Sequence, residues 1–177
     1  MAAILKTDRL HLRPIALADA KRVAEFTREP DVARLIELVP IPNPLIAAEG
    51  YILIAQARSE LKREYTFAIE APGGGMIGVA SAQPKPCGAE IFFWIGKPYW
   101  GRGFGTEAAH AIAEFGEGLS HGPVTARHFA DSPASGRVLE KAGFAYTGEV
   151  RALFALSRGE SAPSRAMVRR QTRLAAA

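Results

Sequence analysis

"AEIFFWIGKPYWGRGFGTEAA", residues Ala89 to Ala109, passes from the most β-prone run of the chain into a glycine-rich stretch and then into alanine-rich sequence. Ala89 to Ile95 reads as a strand, because aromatic and β-branched residues fit a pleated, packed surface. From Thr106 to about Leu119 the pattern is helical, with Ala108, Ile112, Phe115 and Leu119 on one inward face. Between the two, Gly101, Gly103 and Gly105 alternate with Arg102 and Phe104. Unpaired amides at a helix start converge on one point, and the helix dipole adds about 0.3 to 2 kcal/mol for an anion there. Direct amide bonds to a charged oxygen contribute about 1.5 to 3 kcal/mol each, so several amides outweigh both the dipole and the flexible Arg102. Glycine lets phosphates come that close, since a Cβ would hold them away. The local pattern alone leaves a plain connecting turn as the alternative.

The flanks set this unit in an α+β context. "LHLRP" from Leu10 alternates like a strand, and Leu17, Ala20, Val23 and Ala24 follow on one helical face. Asn43 and Pro44 suit the N-cap and N1 of a helix that carries Leu45, Ala48, Ile52 and Ala55 to about Leu61. "YTFAIE" and "MIGVASA" read as a hairpin joined across "APGGG". "PVTARHF" from Pro123 and "SRAMVRR" from Ser164 read as further strands. A last helix spans Pro133 to Ala142, capped by Ser132 and stopped by Gly143. Antiparallel-rich strands interleaved with helices predict one α+β domain over residues 1–177.

Composition narrows the function. With 22 Lys and Arg against 18 Asp and Glu spread along the chain, the surface suits a small polyanion better than a nucleic-acid track. No apolar run approaches the ~18 residues of a membrane span, and "MAAILKTDRL" meets charge too soon for a secretory signal, so a cytoplasmic location is expected. Cys87 is the one cysteine, and His11, His110, His121 and His128 form no ligand pair at i, i+4, so neither a disulfide nor a metal site is expected. His110 and His128 read as structural, with no acidic partner at motif spacing.

Two phosphate motifs fit poorly. A P-loop needs Lys before its Ser or Thr, and Gly105 is followed by Thr106 directly. A dinucleotide fingerprint begins directly after its strand, whereas "KPYW" intervenes here. The chain instead resembles the GCN5-related N-acetyltransferases, and within them the RimJ and RimL branch that acetylates ribosomal proteins. The resemblance rests on "TDRLHLRPIALADA" (Thr7 to Ala20), "AEIFFWIGKPYWGRGFGTEA" (Ala89 to Ala108) and "SPASGRVLEKAGF" (Ser132 to Phe144). It implies a mixed, mostly antiparallel sheet in which the Ala89 and Pro123 strands splay to admit the pantetheine arm of acetyl-CoA. It also implies that the loop at Gly103 and Gly105 wraps the pyrophosphate of coenzyme A, with Trp100 standing where the general pattern has Gln or Arg. Cofactor contacts are accordingly expected from Phe93, Trp94, Ile95, Trp100, Gly101, Arg102, Gly103, Phe104, Gly105, Thr106, Ser132, Ser135 and Arg137. Ser132 occupies a position where the branch usually has Asn.

The implied chemistry is acetyl transfer to an amine, which must lose a proton while the leaving sulfur gains one. Ser135 aligns with a serine that returns a proton to the thiolate, although its place at N3 also fits simple capping. Glu90, an unpaired carboxylate on the strand lining the slot, is the candidate base, with an ordinary ion pair as the alternative. Tyr146 is a second proton-donor candidate, and Cys87 lacks an adjacent histidine to activate it. A free α-amine is already ~10% neutral at pH 7, whereas a lysine-like amine is neutral in fewer than ~1 in 1,000 molecules. The acceptor, a protein N-terminus or a small molecule, is expected in a pocket built by Glu29 to Asn43 and Val150 to Ser164. Alternatives are a degenerate coenzyme A-binding protein and a nucleotide-binding protein; a monomer or homodimer fits each.

Overall fold

The computed structural model describes residues 3–169. One 8-stranded sheet runs in the order β1-β2-β3-β4-β5-β6-β8-β7. Its strands are β1 (Leu5–Lys6), β2 (His11–Pro14), β3 (Tyr65–Ala71), β4 (Gly75–Lys85), β5 (Gly88–Ile95), β6 (Val124–Phe129), β7 (Phe144–Ala155) and β8 (Glu160–Arg169). The helices are α1 (Ala20–Thr27), α2 (Pro30–Ala33), α3 (Leu45–Glu60), α4 (Phe104–Leu119) and α5 (Pro133–Lys141). All pairings are antiparallel except β5 with β6, the two strands joined through α4. Arg170, the last residue of the run read as a final strand, lies outside the described residues.

Two cores lie on opposite faces of the sheet. On one, Ala108, Ala109, Ile112 and Ala113 of α4 pack with Leu139 of α5 against Ile77, Ile91, Val124 and Met167. On the other, Val23, Phe26, Val32, Ala48 and Ile52 of α1 to α3 pack against Val79 and Trp94. Small alanines on α4 let that helix lie close to the strands, so β5 is held from both sides.

Two helix starts differ from the sequence reading. Pro44, not Asn43, is the N-cap of α3; Asn43 is buried and donates from Nδ2 to Thr27 Oγ1 at 2.7 Å, tying the α3 entrance to α1. Ser132 does take the N-cap position of α5, but its hydroxyl caps no amide and is hydrogen-bonded to Ser135 Oγ at 2.9 Å.

The parallel pair decides the shape of the site. β5 and β6 are in register only at Ala89↔Val124, Glu90↔Thr125 and Ile91↔Ala126, although they continue to Ile95 and Phe129. Their first halves are joined and their second halves part. At the joined end the Ala89 amide donates to Pro123 O at 3.1 Å, and Gly88 adopts φ +125° with Pro123 O where a Cβ would stand, 2.1 Å away. Gly88→Ala therefore forces the strands apart at that end and strains the backbone as well. We expect a loss of about 1 to 3 kcal/mol, measured by urea denaturation at constant m-value.

Candidate active site

The open end of the β5–β6 V faces the start of α4. The pairing Gly78↔Ile95, with the Gly96 amide donating to Ile77 O at 2.8 Å, leaves alternate β5 residues bonded to β4. Phe93 and Ile95 fall between them, so their backbone groups point into the V. Gly101 and Gly103 have φ +76° and +81°, and Gly103 is the N-cap of α4. The first bond of that helix runs from the Glu107 amide to Gly103 O at 3.1 Å, which leaves the amides of Phe104, Gly105 and Thr106 without an intrahelical acceptor. Nothing lies within 4 Å of a Cβ placed on Gly101. Phe104, Gly105 and Thr106 are partly exposed, and a cradle of unpaired amides at a helix start suits an anion.

A brace absent from the sequence reading fixes the cradle. Glu107 accepts hydrogen bonds from Thr7 Oγ1 (2.6 Å), the Arg9 amide (2.8 Å) and Arg9 Nε (2.8 Å), and Arg9 Nη1 donates to Arg102 O at 3.0 Å. Partial burial pushes the Glu107 carboxyl up, but the hydrogen bonds from Thr7 and Arg9 together outweigh it and hold it below the usual carboxylate range. The Arg9 guanidinium also covers the Phe104 ring, 4.9 Å from its centroid. Its only trace in the sequence is that Thr7 and Arg9 open the segment "TDRL". Trp100 Nε1 donates to Ile95 O at 2.6 Å, closing the loop back onto β5, while Arg102 is exposed.

The remaining sequence candidates separate by face. Phe93 packs on the α4 side, near Gly105. Trp94 is buried on the opposite side against Phe26 (ring centroids 6.4 Å apart). Ser135 is partly buried in the first turn of α5, bonded to buried Ser132, and Arg137 is exposed on that helix. His128 is buried, with Nε2 3.1 Å from Tyr146 Oη and Nδ1 2.8 Å from Phe129 O. His110 has an acidic neighbour after all, Glu114 at 3.7 Å, one helical turn on. Cys87 is exposed. Among the described residues no cluster of His, Cys, Asp and Glu is arranged to hold a metal, and no helix is long and apolar enough to cross a membrane.

A cavity of ≈ 540 Å³ lies on the Trp94 side of the sheet. Its walls are mostly apolar, with Ile36, Val39, Ile54, Phe92 and Trp94 among them, and its charged groups are Glu37, Arg58, Glu64, Glu90 and Arg127. The segment from Glu29 to Asn43 contributes to its lining through Ile36 to Pro40 and Asn43. The segment from Val150 to Ser164 contributes none of the lining side chains; its role is to brace the rim. The Leu156 amide donates to Glu37 O at 2.9 Å, Ser157 Oγ to Ala33 O at 3.0 Å, and Arg158 to Arg34 O and Asp131. The lining from α3, Ala47 to Arg58, was not anticipated, because the reading of that helix followed its inward stripe alone.

Glu90 lines this cavity but is not unpaired. Lys85 Nζ sits 3.0 Å from its Oε2 and Arg127 Nε 3.9 Å from its Oε1, since antiparallel β4 and parallel β6 each set a cation beside it. Glu37 was not singled out by sequence. Glu37 is exposed at the cavity rim, yet partial burial of its carboxyl pushes it above the usual carboxylate range, the Glu90 charge pushes the same way, and Arg127 opposes.

The splayed parallel pair with a glycine loop at its open end is the arrangement that the resemblance to the GCN5-related N-acetyltransferases implied. The family model for the acetyltransferase (GNAT) domain matches residues 9–145. The uncharacterized N-acetyltransferase YoaA of Bacillus subtilis (strain 168) is 31% identical over 156 residues, covering 85% of this chain and 88% of that protein. The chain therefore belongs to the GCN5-related N-acetyltransferase family. Its fold matches RimL, the ribosomal L7/L12 alpha-N-protein acetyltransferase solved with coenzyme A, at a TM-score of 0.81 and 13% identity over 94% of this chain and 97% of that one. It also matches the microcin C7 self-immunity acetyltransferase MccE, solved with acetyl-CoA and AMP, at a TM-score of 0.78 and 18% identity over 92% and 93% of the two chains.

The cradle gives a direct test. At Gly103 the positive φ is hostile to a β-branched residue, and an added Cβ would stand 3.2 Å from Arg9 Nη2, pressing on the side chain that braces the loop. Gly103→Val should abolish coenzyme A binding in isothermal titration while the domain stays folded, and Arg102→Ala should weaken it far less.

Proposed function

We propose that the chain is one catalytic unit that transfers the acetyl group of acetyl-CoA directly to a primary amine, either a small molecule or a protein N-terminus. The observation carrying this reading is the juxtaposition of an amide cradle at the open end of the V with a carboxylate-bearing cavity across the same strand, β5. Exposed amides of Phe104, Gly105 and Thr106 suit the pyrophosphate, and the inward-facing backbone of Phe93 and Ile95 suits the pantetheine arm and the thioester. An Ile95 amide donor near the carbonyl oxygen would stabilise the charge that develops there. The acceptor nitrogen approaches from the cavity, where Glu90, Lys85 and Arg127 set the local field. On the other face Ser135, polarised by its bond to Ser132, returns a proton to the departing thiolate. Ser132 offers a hydroxyl in place of the amide usual in the branch.

Ligand stabilisation tests the cofactor. Acetyl-CoA at 100 times its dissociation constant should stabilise the fold by about 2.7 kcal/mol, raising Tm, whereas ATP and NAD should do much less. Stabilisation by NAD without any by coenzyme A would sink the reading. Free-thiol release with a panel of amines and peptides tests the transfer itself. Ser135→Ala should lower kcat by roughly 100-fold or more with little change in acetyl-CoA affinity, because its proton is needed only once the thiolate forms.

A further inference from the structure

Glu90 has the position of a base but the surroundings of a structural anion. Two cations flank it, Lys85 Nζ at 3.0 Å from Oε2 and Arg127 Nε at 3.9 Å from Oε1, so both of its oxygens are already engaged by partners on β4 and β6. Glu37 has the complementary surroundings. It lines the same cavity, and among the described residues no Lys, Arg or His lies within ion-pair distance of it. Its backbone is pinned, since Glu37 O accepts the Leu156 amide at 2.9 Å, so the side chain works from a fixed point. Its exposed edge also opens a route for a proton to bulk water.

We propose that Glu37 is the residue that deprotonates the acceptor, and that the acceptor is a compact primary amine with an apolar body, held with its ammonium between Glu37 and Glu90. This rests on the acetyl-transfer reading above. The ammonium gives one proton to the Glu37 carboxylate, and the freed lone pair forms the C–N bond as the C–S bond breaks. Of the two protons still on nitrogen, one is lost as the thiolate gains one through Ser135 and the other stays on the amide product, and Glu37 releases its own to water. The apolar walls at Ile36, Val39, Ile54, Phe92 and Trp94 would receive the body of such an amine. An alkylamine is almost wholly protonated at neutral pH, with a pKa near ~10.4, so it needs a base where an α-amine does not.

The charged groups around Glu37 set what its titration should do. They are Glu90 on β5, Arg127 on β6, Arg58 and Tyr51 on α3, and Glu64 beyond it. Lys85 and Glu149 lie behind Glu90 and Arg127, and the Arg34–Asp131–Arg158 group sits at the rim. Of these, Glu90 raises the Glu37 carboxyl and Arg127 lowers it. Removing the Glu90 charge must therefore move Glu37 down.

The test uses single-turnover rates across pH with phenethylamine as the compact apolar amine and an N-terminal-serine tetrapeptide as the extended one, alongside a carbon-13 NMR titration of Glu37 in the coenzyme A complex. We expect phenethylamine to be preferred. Glu37→Gln should lower its rate by roughly 100- to 10,000-fold and abolish the acidic limb of the profile. Glu37→Asp should restore part of the rate together with the limb. Glu90→Gln should keep the limb but shift it to lower pH, and the NMR titration of Glu37 should shift with it. A Glu37→Gln enzyme within threefold of the parent, a limb lost in Glu90→Gln instead, or a Glu37 titration indifferent to Glu90 would overturn the proposal. Preference for the peptide would overturn the substrate class. If coenzyme A binds but no amine is acetylated, the transfer reading itself falls, while the NMR titration still judges the Glu37–Glu90 coupling.

Discussion

Everything distinctive about this molecule depends on one constraint: β5 and β6 are parallel neighbours held together at one end only. Parallel strands need a long crossover, here α4, and that helix packs back across the sheet with its N-terminus at the open end of the pair. Closure at Gly88 and Pro123 and divergence beyond Ile91 thus place a row of helix amides opposite a gap in the backbone ladder. Neither feature alone would make a cofactor site. A helix start without the gap offers no place for a long arm, and a gap without the amides offers nothing to hold its charged end.

The two cores on either face of the sheet explain why the gap does not collapse. α4 and α5 cover one face through alanine-rich contacts, and α1 to α3 cover the other through Phe26, Trp94 and their neighbours. β5 lies between them with its side chains alternating, so Phe93 and Trp94, adjacent in sequence, pack into different cores. Brace residues finish the arrangement. Thr7 and Arg9 reach from the chain's beginning to hold Glu107 and the glycine loop, and the β7–β8 turn reaches back to hold α2.

What could be read from sequence was what short-range pattern determines. The strand and helix around the glycine loop, the β3–β4 hairpin and the α5 start are governed by local spacing, and each formed near its expected place. The pairing of Glu90 was not legible, because Lys85 and Arg127 come beside it through strand registers that no local pattern states. Asn43 misled for a related reason. An Asn before Pro is a good cap by propensity, yet its amide found a buried partner on α1 instead. Glu37 lay inside the segment named for the acceptor pocket, but nothing in "LIELVP" separates it from any exposed glutamate. Its environment is created by α3 and β5, remote in sequence. β7, mostly exposed over Ala145–Phe154, shows no alternation of burial from which its length could have been inferred.

The sheet also works as a partition. The core beneath α4 and the core beside Trp94 lie on opposite faces of it, and the β5–β6 ladder that separates them ends beyond Ile91. The α2–α3 connection that walls the cavity beside Trp94 carries no strand of the sheet and no part of the glycine loop. Changes there at positions other than Glu37 alter the cavity while leaving the glycine loop on the opposite face in place, and effects at well-separated sites combine nearly additively. Such a layout lets the shape of the cavity vary by remodelling a single connection while the fold around the glycine loop stays constant.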